Sequence, residues 1–372
     1  MAGAKRTEIQ WLRALAAAEV AFVHSDLLTK HFTDYRLVNQ WWYHPVAGIG
    51  VELFFIVSGY IICVKVQSYA TSGAFIRSRI RRLFPLYLVF TTIVLLTYFI
   101  NPAWRLNNFH LDLASIIQSY LILPQWNFPI LGVGWTLEHE MVFYCLVALV
   151  MLGWSMEGRA RLVIAWTLAI MGFIGCLQGT EPGYGLWPFH IFSPYMFAFG
   201  FGWLLCCIEE LDRPAWLGKL ALFAAIAAVA SLAGAEFGDR LLFRIAFVAL
   251  IFYGFIACRR AFESDNWLNR IAMTAGDASF SIYLSHWFVL SAIGKLLGAL
   301  QPPAYSSGLV RLLGVAASIA IGIWLFKILE KPLDLWLRRG GSAADFPWLR
   351  FLPWPSSGRV NERDSRVASK VD

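Results

Sequence analysis

Apolar runs of bilayer-spanning length, separated by short polar segments, recur along the chain from one end to the other. Their length and period are helical. The short alternating segments of an outer-membrane barrel are not present in the pattern. Lipid offers no partner to backbone N–H and C=O groups, and a helix satisfies its own. The predicted fold class is therefore all-α, a polytopic integral membrane protein with about ten transmembrane helices. They are expected near residues 9–26, 46–68, 83–101, 139–154, 161–178, 189–208, 217–234, 241–258, 279–299 and 309–336. One transmembrane domain then occupies 1–339. Residues 340–372 lose hydrophobicity and gain Gly, Ser, Arg and Asp, which predicts a disordered cytoplasmic tail.

The polar interruptions carry the topology. Lys5 and Arg6, the run Arg77 to Arg82, Arg159 and Arg161, Arg213 and Lys219, Arg259, Arg260 and Arg270, and Lys331, Arg338 and Arg339 fall on one face. The opposite face holds few basic residues: Lys30, Arg36, Arg105 and Arg240. The positive-inside rule then makes both termini cytoplasmic. The basic start lacks a cleavage pattern and reads as an uncleaved first span. The long outer loop near 102–138 is rich in Trp, Asn and Pro and is expected to pack over the outer mouth. No internal repeat points to an inverted-repeat transporter.

Composition agrees. Of 372 residues, 58% are hydrophobic and 15% charged, against about 25% charged in soluble domains. The net charge of +7 reflects loop asymmetry and anionic lipid. No folded basic domain supports nucleic-acid binding. The six cysteines lack metal-type spacing and read as small buried hydrophobes.

Chemistry begins in the first span, IQWLRALAAAEVAFVH. Arg13 and His24 are eleven residues apart, so a helix points them within about 20° of each other, roughly 16 Å apart along its axis. Ala16, Ala17 and Val20 lie between them on that stripe and are expected to leave a slot. An ionisable residue inside a span is costly unless paired or hydrated, which makes both residues functional candidates. The alternative has Arg13 snorkelling to the headgroups and His24 capping a helix end. Glu19 points about 120° away from Arg13 and is expected to meet a neighbouring helix.

Other polar groups stand out against apolar runs. In GIGVELFFIVSGY, Glu52 starts a span, where a helix N-terminus favours an acid, and Ser58 and Gly59 allow close helix approach. In RSRIRRLFPLY, Arg79 and Arg82 share a helical face. That run reads as a topology signal or as a fork of donors for phosphate groups. In GWTLEHEMVFY, Trp135, Glu140 and Tyr144 open a span, with Glu140 and Tyr144 one turn apart. SFSIYLSHW adds hydroxyls and His286 to a later span, where interhelical hydrogen bonding is expected.

Taken together, the R-x10-H spacing, GVELFFIVSGY, the R-x-x-R run ending in Pro-Leu-Tyr, WTLEHEMVFY and SFSIYLSHW resemble the membrane acyltransferase family 3. The opening IQWLRALAA resembles its ExoZ-like branch of exopolysaccharide acetyltransferases. The resemblance extends over about residues 8–336. It implies a multi-pass protein of the bacterial inner membrane that moves an acyl group, acetyl with succinyl as the alternative, from cytoplasmic acyl-CoA to a hydroxyl. The acceptor would be an exopolysaccharide, lipopolysaccharide or lipid-linked glycan. Acyl-CoA would be a co-substrate, with no bound cofactor and no metal. Carried over by position, His24 is the catalytic residue, Arg13 its motif partner, Arg79 and Arg82 the donor-binding pair, and Glu140 the acid of its segment. Glu52 stands where many members have Asp, and Glu138 is an extra acid that opens a choice within that segment.

On this reading His24 is a general base or a nucleophile forming an acyl-imidazole. Glu52 or Glu140 is expected to orient it. Coenzyme A would anchor its phosphates at Arg79 and Arg82, and its arm would run along the slot past Arg13. The second reading of the same polar helix ends is a transporter or flippase for a lipid-linked sugar.

Overall fold

A computed structural model describes residues 6–40, 43, 47–102, 109–178, 190–209 and 241–340. Among the described residues the regular elements are all helical. The longer ones are α1 (Thr7–Val23), α2 (Ile49–Val66), α3 (Ser72–Ile100), α4 (Leu113–Leu121), α5 (Trp135–Gly153), α6 (Arg159–Gln178) and α7 (Tyr195–Glu209). There follow α8 (Leu241–Ala257), α9 (Trp267–Asp277), α10 (Ser279–Leu300), α11 (Ser307–Leu325) and α12 (Lys331–Arg338). The span expected at 217–234 and the tail from 341 lie outside the described residues.

Each other expected span contains a helix, but fewer than ten meet the length and hydropathy of a crossing. Six described stretches do: Ile49–Val66, Ser72–Ile100, Gly132–Gly153, Arg159–Leu177, Ser279–Leu300 and Ala304–Arg338. Tyr195–Cys207 and Arg244–Ala257 are shorter apolar helices. Side-chain exposure identifies the lipid face. Leu162, Trp166, Ile170, Phe173 and Leu177 are all exposed along one stripe of α6, and Leu309, Leu312, Leu313 and Trp324 along α11. A soluble protein would bury such stripes; in lipid they are the solvated surface.

The packing centres on α2, which lies against α7, α1 and α8. A Cβ at Gly59 would sit 2.1 Å from the Phe199 carbonyl oxygen, and one at Gly202 would sit 1.9 Å from that of Ile56. The two helix backbones therefore touch, which only glycine permits at these positions. On its other side α2 meets α1, where Glu19 accepts the Gly50 N–H at 2.9 Å in the first turn of α2. Glu19 thus contacts a neighbouring helix, as its direction from Arg13 predicted.

The slot expected along α1 is filled. Ala16, Ala17 and Val20 are each 1% exposed. Ala17 packs with Ala275, Ala278 and Ile282 of the α9–α10 corner, while Ala16 and Val20 abut Gly50. Small side chains drew neighbouring helices in instead of leaving a void.

Helix α3 has 29 residues, about 44 Å of rise, against a hydrocarbon core of about 30 Å. Its Arg-bearing first turns therefore extend beyond the apolar part. The segment from 109 to 134 packs against α3 and α5. Tyr87 donates to the Ser119 carbonyl at 2.9 Å, and Ile122, Ile130, Leu131 and Val133 are buried. Asp112 caps α4, and the N–H and hydroxyl of Ser115 hold its carboxyl below the usual carboxylate range. A π-helical turn, Phe326–Glu330, joins α11 to α12 and turns Glu330 inward.

Candidate active site

Two polar centres lie at different heights along α1. The first gathers charge around Arg13. The Arg79 guanidinium donates to the Tyr69 hydroxyl at 2.5 Å and to Ser78 at 3.0 Å. It also lies over the rings of Tyr69, Phe75 and Tyr144. Arg82 pairs with Glu330 at 2.6 Å, and Glu330 accepts from Ser281 at 2.6 Å. Glu140 accepts from Ser58 at 2.8 Å and from the Tyr144 hydroxyl. Arg13 donates weakly to Gln10 at 3.3 Å. Its charge interacts with those of Arg82, Glu330, Asp277 and Glu140. Lys65 likewise interacts with Arg79, Arg13 and Arg82. Helices distant in sequence thus bring Arg13, Lys65, Arg79 and Arg82 together, with Glu140 and Glu330 among them. Arg13 and Arg82 are only half-buried.

The second centre is His24, which follows the last turn of α1 and is half-buried. Its Nδ1 is 2.9 Å from the Val20 carbonyl oxygen and 3.2 Å from Nε2 of His286. His286 is wholly buried on α10, and its Nδ1 is 2.6 Å from the Tyr283 carbonyl oxygen. The Trp287 ring covers His24, with centroids 4.8 Å apart. The Tyr283 hydroxyl ties this helix to the start of α5 through Thr136 at 2.8 Å and the Val133 carbonyl at 2.9 Å.

The expected carboxylate partner of His24 is therefore corrected to an imidazole. Glu52 is fully buried and pairs with Arg244 at 2.9 Å, because the first turn of α2 faces α8. Glu140 belongs to the cation-rich centre. Glu138 and Glu140 point to different neighbours. Two residues apart on a helix, they diverge by about 160°. Glu138 points to His190 at 2.6 Å and Gln125 at 2.8 Å, while Glu140 joins Ser58 and Tyr144. Trp135 meets His139 edge to face and Tyr195 at a tilt, with ring centroids 5.5 and 5.4 Å away.

Four residues were not assigned to a site from sequence: His286, Trp287, Lys65 and Glu330. The first two sit in a segment already conspicuous for its polarity. Glu330 is an acid ending a long apolar run before Lys331 and Pro332, a signal of the same kind as Arg13. Among the described residues, no group of three or more His, Cys, Asp or Glu is arranged to hold a metal ion.

A helical membrane bundle with an Arg-x10-His first helix and a cluster of arginines defines the class. The acyltransferase-domain family profile matches residues 6–327, and the chain belongs to the membrane acyltransferase family 3. It is a multi-pass membrane protein. The chain is similar to the exopolysaccharide production protein ExoZ of Rhizobium meliloti (strain 1021), 27% identical over 317 residues, covering 79% of this chain and 91% of that protein. It is also similar to the ORF330 protein of Acidianus two-tailed virus, 24% identical over 300 residues, covering 78% and 86%. Peptidoglycan O-acetyltransferase OatA of Listeria monocytogenes is 24% identical over 333 residues; these are 77% of this chain and 51% of OatA, so the chain spans about half of that protein. No solved structure matches the chain significantly.

Proposed function

We propose that the protein is an O-acyltransferase of the bacterial inner membrane. It transfers acetyl from cytoplasmic acetyl-CoA to a hydroxyl of an exopolysaccharide or a lipid-linked glycan. Both termini face the cytoplasm, in keeping with the basic residues on that side. The observation that carries the reading is the division of α1: Arg13 sits within a cluster of cations at one end, and His24 sits beside a buried imidazole at the other.

The donor phosphates engage Arg79, Arg82, Lys65 and Arg13, whose geometry and charge suit a polyphosphorylated nucleotide. Glu330, which neutralises Arg82 in this structure, yields it to phosphate. The pantetheine arm, an extended chain, covers the roughly 16 Å from Arg13 to His24. Because Ala16, Ala17 and Val20 are packed shut, its passage requires α1 to part from α2 or from the α9–α10 corner. His24 takes the proton of the acceptor hydroxyl, the oxygen bonds to the acyl carbon, and the C–S bond breaks. The proton then goes to the departing thiolate. The ExoZ and OatA similarities support a glycan as acceptor.

Surface polysaccharide from cells lacking this protein tests the reading by mass spectrometry. Acetyl esters present in the parent strain are expected to vanish and to return with the wild-type chain. Unchanged acetylation would overturn the proposal.

A further inference from the structure

We infer that His286 is a positioning residue that fixes the tautomer of His24 and helps carry the proton it gains, a role commonly filled by a carboxylate. The inference rests on His24 acting as the base.

The hydrogen-bond chain leaves one consistent arrangement. A carbonyl oxygen only accepts, so the 2.6 Å contact to Tyr283 makes Nδ1 of His286 the donor. A neutral imidazole carries a single N–H, so Nε2 of His286 presents its lone pair. That lone pair faces Nδ1 of His24 at 3.2 Å, and the Val20 carbonyl faces the same nitrogen at 2.9 Å. Two acceptors converge on Nδ1 of His24, which therefore holds the proton. Its Nε2 is left basic, and it is the nitrogen that meets the acceptor hydroxyl.

The surroundings point the same way. Glu52 is taken by Arg244 and Glu140 by Ser58 and Tyr144. Asp26, two residues after His24, is paired with Arg311 at 2.8 Å. Glu19 faces the α2 backbone. When His24 accepts a proton at Nε2, its Nδ1–H strengthens the bond to His286, and the charge is shared by two rings. The pairing is long-range: 262 residues separate the two histidines. It holds the end of α1 against α10, where the tilted rings have centroids 5.1 Å apart.

Purified His286→Leu and His286→Gln, assayed with acetyl-CoA and the glycan acceptor, test the assignment. Leucine fills the volume and removes the acceptor, whereas the glutamine amide restores an oxygen near the position of Nε2. The leucine variant is expected to lose about 100-fold in kcat with little change in KM for either substrate. The glutamine variant should stay within about tenfold of wild type. Equal kcat in His286→Leu and wild type, or equal losses in both variants, would overturn the inference. Should His286→Leu not yield folded protein, His286→Asn replaces it, since its shorter amide keeps to Tyr283 and withdraws from His24. His24→Ala in the same assay separates the two levels. Its retained activity would refute the base itself, whereas its loss beside a fully active His286→Leu would refute only the positioning role.

Discussion

Replacing His24 by alanine is expected to lower the acyl-transfer rate by about 10³-fold or more, with normal membrane insertion and yield. The side chain follows the last turn of α1 and is half-buried, so the helix itself does not depend on it. Activity is different, because the described carboxylates nearby are engaged elsewhere and supply no replacement base. The wild-type protein distinguishes the two chemistries open to an imidazole. If His24 is a nucleophile, wild-type protein incubated with acetyl-CoA alone accumulates an acetyl group on the chain, visible by mass spectrometry. A general base leaves no such adduct.

The second large effect concerns the arginines. Arg79→Ala and Arg82→Ala are each expected to weaken donor binding about tenfold or more, read by calorimetry with a non-reactive acyl-CoA analogue. The two variants should differ in stability. Arg79 is held by Tyr69, Ser78 and three aromatic rings, and its loss mainly removes stacking. Loss of Arg82 leaves the buried carboxylate of Glu330 without its ion-pair partner, still bonded to Ser281, so Tm should fall further. Adding Glu330→Gln to Arg82→Ala should restore Tm without restoring donor affinity. Unchanged donor affinity in both single variants would reduce the basic run to a topology signal.

The helices were legible because apolar runs of spanning length leave few alternatives in lipid, and Arg13 and His24 stood out as costly groups in one such run. Their shared direction followed from helical geometry alone. What that geometry could not supply was the identity of neighbouring helices. Glu52 met Arg244 and His24 met His286 through contacts between distant segments. The stripe of Ala16, Ala17 and Val20 has the same spacing whether it lines a slot or a seam, and only the position of α9 and α10 makes it a seam. Glu330 was hidden for a further reason. A π-helical turn shifts the phase of the last span, so a regular helix would not have aimed it at Arg82. The motif resemblance identified the family, which the match over residues 6–327 bears out.

Thiol release from acetyl-CoA by the purified, reconstituted protein tests the central claim most directly. With glycan acceptor present, wild-type protein is expected to release free coenzyme A in step with acetyl appearing on the glycan, and His24→Ala is expected to release almost none. A wild-type protein that consumes no thioester, as a transporter or flippase would not, would contradict the account.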